Sequence, residues 1–496
     1  MMILTTKRAI RFARTSCIFL LVSGIGYAQN TTENVTYADS SGASVSVAGY
    51  MGSSGRTPFW IQSNQFGTIP KTGPAAVISG EVSYFKPLGS TSGHWRVGVG
   101  AEATAFISNQ NKILLPQGHA TLRYKNWELF AGRKKQWVGL ADSTLGTGSY
   151  AWSTNALPIP KVQLGTIGFV PVPFTQGWIS FQGFYSDGWF ERERPVTPGL
   201  RLHQKSLYGR IGKPHSKLKL YGGFNHQVQW SGKSDFNTID GEMPKGFKNY
   251  LNVIFGTRGA ENASHFDETN RVGNHLGSID LAMEIETEPV QILIYRQHIY
   301  EDGSLFWLNN IADGLNGVRF KRKKAGRSNF EINTLLLEYL HTKSQGGPEA
   351  DDNLPGWKRG KDDYFNNGQV RDGWSYFDRT IGTPFITPTS DTRWNWPNYA
   401  NFFTSNNRVA VMHVGVEGTL LRQVSWLGKF SYSRNFGVYD SPFEGSPAQF
   451  SALLSLQTQP GFVKNTVLKV MLATDLGDLY PRNYGAGISI ARLFSY

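Results

Sequence analysis

The chain has 496 residues, a formal charge of +13, 13% aromatic residues, 55 glycines and a single cysteine. One thiol cannot staple a fold, so stability has to come from packing and backbone pairing. The basic residues form no long Lys/Arg run and so no nucleic-acid patch, and no stretch reaches the roughly 18 consecutive apolar residues of a membrane helix.

At the N-terminus, Lys7, Arg8, Arg11 and Arg14 precede an apolar run from Cys17 to Val22, followed by Gly26, Tyr27 and Ala28. A positive region, a short apolar region and small residues at a cleavage site predict a secretory signal over residues 1–28. Residues 29–42 are then a short periplasmic N-terminal segment, and 43–496 the folded body.

That body is patterned as strands. In 279–286, Ile279, Leu281, Met283 and Ile285 alternate with Asp280, Glu284 and Glu286. Leu218, Leu220 and Phe224 oppose Lys217, Lys219 and Asn225 in the same way. Phe430, Tyr432 and Phe436 oppose Lys429, Ser431, Ser433 and Asn435, with Arg434 on the apolar face, placed to snorkel at an interface. A side-chain period of two gives such a strand one face for lipid and one for a polar lumen. Residues 290–300 do not alternate cleanly and are read as a strand from their neighbours.

About eighteen strands are expected: 43–51, 77–86, 94–107, 117–125, 126–132, 161–170, 177–186, 204–213, 217–229, 275–288, 289–300, 316–324, 329–342, 408–418, 424–436, 450–458, 466–476 and 484–495. Their connections alternate in length. Residues 52–76 are long and Pro87–Gly93 short; after a medium link and a turn at Lys125 and Asn126, the pattern continues to the end, with 343–407 very long. This is the signature of an all-β, transmembrane up-and-down antiparallel barrel, with long extracellular loops on one rim and short periplasmic turns on the other. Ile488, Ile490, Phe494 and Tyr496 in the last strand resemble the terminal signal of outer-membrane barrels, with Arg492 interrupting that face.

Two loops draw attention. The first, after the strand 126–132, carries Arg133, Lys134, Lys135, Trp137, Tyr150, Trp152, Asn155, Pro158 and Pro160, with Asp142 its only carboxylate. Basic and aromatic side chains together suit an anionic or sugar-like ligand; rim cations also contact lipopolysaccharide phosphates. The second, 343–407, mixes Trp357, Tyr364, Phe365, Trp374, Tyr376, Phe377, Trp394, Trp396 and Tyr399 with Asp362, Asp363, Asn366, Asn367, Asp372, Asp378 and Arg379. Aromatic faces stack on sugar rings while Asp, Asn and Arg bond vicinal hydroxyls. The alternative is that these aromatics pack the loop's own core. Asp362 and Asp363 lack EF-hand spacing, so no metal is expected, and no cofactor.

Catalytic motifs are missing: there is no Gly-x-Ser-x-Gly elbow, no His-Glu-x-x-His and no Walker loop. His298, His341 and His413 fall within strands and read as lumen or core residues. A barrel hydrolase assembled from separate strands is left as a rival without support.

Four stretches carry a family resemblance. The run Ala131, Gly132, Arg133, Trp137, Ser153, Asn155, Pro158, Pro160, Val162, Leu164 and Gly165 resembles the capsule-assembly protein Wzi family in its Bacteroidetes form. So do Phe59, Trp60, Ser63, Asn64, Gln65 and Gly67; the run Asp267 to Gly277; and Asp363 to Phe385 with Gly373, Trp374, Ser375, Tyr376 and Gly382.

The resemblance implies an eighteen-stranded barrel in the outer membrane of a Gram-negative bacterium, acting as a lectin that holds exported capsular polysaccharide at the cell surface. It also implies a helical bundle at the periplasmic end. Gln29 to Gly42 is too short for one, so the expectation is a lumen closed by inward-folded loops.

The expected glycan-binding residues are Arg133, Lys135, Trp137, Trp152, Asn155, Trp374, Tyr376, Arg379 and Trp394. Trp137, Trp152, Trp374 and Trp394 would stack on sugars, while Arg133 and Lys135 would pair with acidic substituents. Expected partners are the polysaccharide, outer-membrane lipid and lipopolysaccharide, and polysaccharide export machinery. The rival from another class is a diffusion porin or uptake channel.

Overall fold

The computed structural model describes residues 41–89, 94–259, 264–301, 304–324, 326, 328–350 and 358–495. The expected leader, nearly all of the segment 29–42, Trp357 and Tyr496 lie outside them.

Eighteen strands form one closed antiparallel barrel. They are β1 Gly42–Gly52, β2 Ala75–Pro87, β3 Trp95–Ile107, β4 Lys112–Tyr124, β5 Trp127–Arg133, β6 Lys161–Thr166, β7 Ile179–Trp189, β8 Arg201–Ile211 and β9 Leu218–Trp230. The ring continues with β10 Asn274–Glu286, β11 Val290–Glu301, β12 Gly314–Arg322, β13 Phe330–His341, β14 Val409–Leu420, β15 Val424–Asn435, β16 Ala448–Thr458, β17 Thr466–Gly477 and β18 Asn483–Ser495. β1 closes it by pairing with β18, from Gly42 opposite Ser495 to Gly52 opposite Gly485.

Each expected strand is present, most with ends moved by one to three residues, and two of them have one end moved by more. β4 begins at Lys112 rather than 117, because the register slips between Glu102 and Thr104 and leaves Leu115 and Pro116 in a bulge. Proline has no N–H for the ladder, and a bulge accommodates that. The link after β3 is therefore 108–111, shorter than expected. β6 stops at Thr166, and only Val170–Pro171 resumes pairing with β7.

The two faces of the wall follow the alternation. Leu218, Leu220, Phe224, Leu281, Phe430, Tyr432, Leu472 and Ile490 are exposed outward, whereas Lys219, Asn225, Asp280, Glu284, Lys429, Ser431 and Ser433 are buried inward. Arg434 is exposed on the outer face, as expected. β11 reads poorly because both its faces are inverted in places: Leu293, Tyr295 and Ile299 turn inward into a hydrophobic core, while Arg296 and His298 lie on the outer face.

That core is the content of the lumen. Parts of the loops 53–74, 134–160 and 342–408 fold into the barrel and pack as one plug around Trp60, Leu145, Tyr150, Trp374, Tyr364 and Phe365. The polar inner wall receives the plug's backbone. Leu140 N–H donates to Asp280 (3.0 Å), Thr147 N–H to Glu338 (2.6 Å), Tyr150 N–H to Gln297 (3.0 Å), Phe59 N–H to Asp475 (2.9 Å) and Phe365 N–H to Glu301 (3.0 Å). Irregular backbone inside a barrel has no ladder of its own, so buried carboxylates and amides of the wall supply the acceptors. At Gly415 of β14 a Cβ would sit 2.7 Å from Leu145 Cβ, so the plug touches the wall where a side chain is missing.

Candidate functional site

The plug decides which of the expected ligand residues can reach a ligand. Trp374 is fully buried; its indole N–H donates to Ala151 O (2.7 Å), and Trp152 and Phe190 approach its ring at 6.2 and 6.3 Å. Trp152 and Tyr376 are buried beside it, and Tyr376 accepts from Arg133 at 2.7 Å. Burial raises the Tyr376 phenol to about 12. Asn155 is buried too, its amide donating to Thr380 O at 3.0 Å. These residues tie the loop 134–160 to the hairpin Ser375–Thr380.

The basic cluster turns inward. Lys135 pairs with Glu102 of β3 at 2.6 Å and Lys134 with Glu128 of β5. The wall thus supplies the anions that the sequence left to a ligand. Trp137 is half-buried against the plug core. Trp394 alone among the nine stands free, with 97% of its surface exposed.

A narrow cleft of about 40 Å³ opens where the plug meets the tops of β17 and β18. Loop 53–74 contributes Arg56, Gln62 and Lys71; loop 134–160 contributes Asn155; loop 342–408 contributes Arg379, Thr387 and Asp391; the β17–β18 edge adds Tyr480 and Asn483. Two of the nine expected residues, Asn155 and Arg379, therefore meet here. Arg56, Lys71, Asp391, Tyr480 and Asn483 were not singled out, because nothing local marks residues that converge from separate segments.

The cleft is lined by three basic side chains, Arg56, Lys71 and Arg379, and two carboxyl groups, Asp391 and Asp475. Asp391 sits 3.3 Å from Arg56 and 2.9 Å from Lys71, all three about one-fifth exposed on the side chain. Lys71 also donates to Asp378 O at 2.5 Å. Arg379 donates to two neutral oxygens, Gln62 Oε1 at 3.0 Å and Ile69 O at 2.5 Å. Burial lowers the Lys71 ammonium below its usual range and Arg379 to about 10, so the Arg379 guanidinium still carries its charge at neutral pH. Three basic groups thus stand against two carboxyl groups at the mouth, beside amide and hydroxyl groups suited to polyhydroxylated ligands. Arg393 donates to Tyr480 O (3.0 Å) and Gly477 O (2.8 Å), which pins the segment bearing Trp394 to the cleft's edge.

The family model for the capsule assembly protein Wzi matches residues 27–413. The chain belongs to the capsule assembly protein Wzi family. Among solved structures it is similar to Wzi of Escherichia coli, described as an outer membrane protein involved in group 1 capsule assembly and a carbohydrate-binding β-barrel. That likeness has a TM-score of 0.56 at 15% identity and covers 90% of this chain and 83% of the other. OccK5 and OccK3 of Pseudomonas aeruginosa follow, with TM-scores of 0.46 and 0.45 at 9% and 10% identity, covering 93% and 92% of this chain and 99% and 96% of theirs. No curated protein matches the chain. As a member of the Wzi family, this barrel is an outer-membrane protein of Gram-negative bacteria, and the rim that carries its long loops is extracellular.

Proposed function

We propose that the protein binds exported capsular polysaccharide, without turnover, at its extracellular mouth and anchors or organises it at the cell surface. The observation that supports this reading is the cleft between plug and wall, where Arg56, Lys71 and Arg379 surround Asp391. An acidic sugar presents a carboxylate to Arg56 and Lys71, and its hydroxyls meet Asn155, Asn483 and Thr387. Trp394 offers an open ring face for a neighbouring sugar. The export machinery that delivers the polymer and the surrounding lipid are the other partners under this reading. The carbohydrate-binding barrel Wzi of Escherichia coli provides the precedent, and the filled lumen weighs against a diffusion channel.

The test is made on cells. A strain lacking the protein is expected to make polysaccharide in normal amount and shed it into the medium; unchanged retention on washed cells would refute surface anchoring.

A further inference from the structure

The outer wall has one region that breaks its own pattern. Near the extracellular ends of β8, β9 and β10, the outward positions are His203, Lys205, His226 and His275 instead of the aliphatic and aromatic residues that follow lower down, such as Leu207, Phe224 and Leu281. Polar groups on a lipid-facing wall are costly. Here the described parts of the loop 231–273 lie over them: the Tyr250 ring sits 5.8 Å from that of His203, Lys205 donates to the Ile254 carbonyl, and His275 bonds Val272 O at 2.9 Å.

On its inner side this loop is tied to the plug. Ser234 donates to Gln369 O at 2.7 Å, and Gln369 donates to Asp267 at 2.9 Å. On its outer side lies the helix Phe247–Phe255. One face of that helix packs on the wall: Val253 is fully buried with Val228, Trp230 and Val272, and Tyr250 lies 5.3 Å from the Trp230 ring. The Tyr250 hydroxyl meets Asp187 at 2.7 Å and Tyr185 at 2.5 Å, and Lys205 donates to the Ile254 carbonyl near the helix C-terminus. The helix is thereby fixed flat against the barrel by partners from three strands.

Its other face carries Phe247, Leu251 and Phe255, at a spacing of four, exposed by 75%, 38% and 72%. Lys248 is exposed beside them. An amphipathic helix with an apolar stripe and a flanking cation suits the boundary between acyl chains and anionic headgroups. Lower down, the outward faces of the same strands β8, β9 and β10 carry Leu207, Phe224 and Leu281, all exposed.

We infer that the helix Phe247–Phe255 is a lipid foot: Phe247, Leu251 and Phe255 enter the acyl chains of the outer leaflet around the barrel. The foot replaces the missing apolar side chains of the wall beneath it and holds the rim-crossing loop, and through Gln369 the plug, at a set height in the membrane.

The experiment uses the full chain with Cys17→Ser, carrying Leu251→Cys, Phe255→Cys or Lys248→Cys labelled with an environment-sensitive dye. Barrel folding is checked by heat-modifiable migration. Each protein is placed in phosphatidylcholine vesicles with or without bromine along the acyl chains. Labels at 251 and 255 are expected to emit at shorter wavelength than at 248 and to lose most of their intensity in brominated lipid. Water-like emission at both positions, with no quenching, would overturn the inference. So would a blue-shifted but unquenched label with energy transfer between differently labelled copies, which would place a second copy of this chain on the stripe.

Discussion

Trp374 and Trp394 belong to one loop and look alike in sequence, each flanked by polar residues in an aromatic-rich stretch. Trp374 is wholly buried, donates to a backbone carbonyl and lies between Trp152 and Phe190; Trp394 is 97% exposed. The first holds the plug together and the second is available to a ligand. The same division runs through the whole mouth. The loop 134–160 spends its indole Trp152 and its cations on the wall and the hairpin Ser375–Thr380, whereas the segment following Asp391 keeps a ring face open at Trp394.

The difference between the two tryptophans can be broken by substitution. Trp374→Ala is expected to have the largest effect, costing about 3–5 kcal/mol of plug stability through the cavity it leaves. Protease cleavage within 342–408 of the folded barrel, and a rise in single-channel conductance above that of the parent, would report it. Gly415→Leu comes next. Its side chain would run into Leu145, and overpacking of this kind costs about 1–3 kcal/mol, read by the same cleavage assay.

The plug should also respond to pH. Asp362 and Asp363 are raised by burial from 3.8 to about 6, so the folded plug holds protons that the opened loop releases. Stability from these groups is greatest below the unfolded value near 4 and declines as pH rises through about 6. Hydrogen exchange in 342–408, corrected for intrinsic rates, is expected to show more protection at pH 5 than at pH 7; equal protection would remove both residues from the account.

Trp394→Ala should have the smallest effect. Loss of one stacking face is worth about 0.5–1.5 kcal/mol of glycan affinity, with no change in protease resistance. A fall in plug stability with this variant would contradict the division between the two tryptophans.

What the sequence revealed, and what it hid, follows from range. The alternation of Leu218, Lys219 and Leu220 is local, so the wall and its facing could be read directly. The meaning of the polar face could not: Asp280, Glu338 and Asp475 look the same whether they meet water or accept N–H groups of a plug. β11 was the visible hint, because Leu293 and Ile299 face a packed interior while His298 lies on the outer face. The cleft was hidden for the same reason. Arg56, Lys71, Asn155, Arg379, Asp391 and Tyr480 are far apart in the chain and meet only after three loops fold inward.

The most direct test of the central claim is binding of acidic capsular oligosaccharide to the purified barrel carrying Arg56→Ala with Lys71→Ala, measured by calorimetry at two salt concentrations. Charge-assisted contacts of this type are worth about 1.5–3 kcal/mol, so affinity is expected to fall at least about tenfold and to lose most of its salt dependence. Protease resistance of the plug should stay near that of the parent. Unchanged affinity in a folded double variant would contradict the account and move the binding surface away from the cleft.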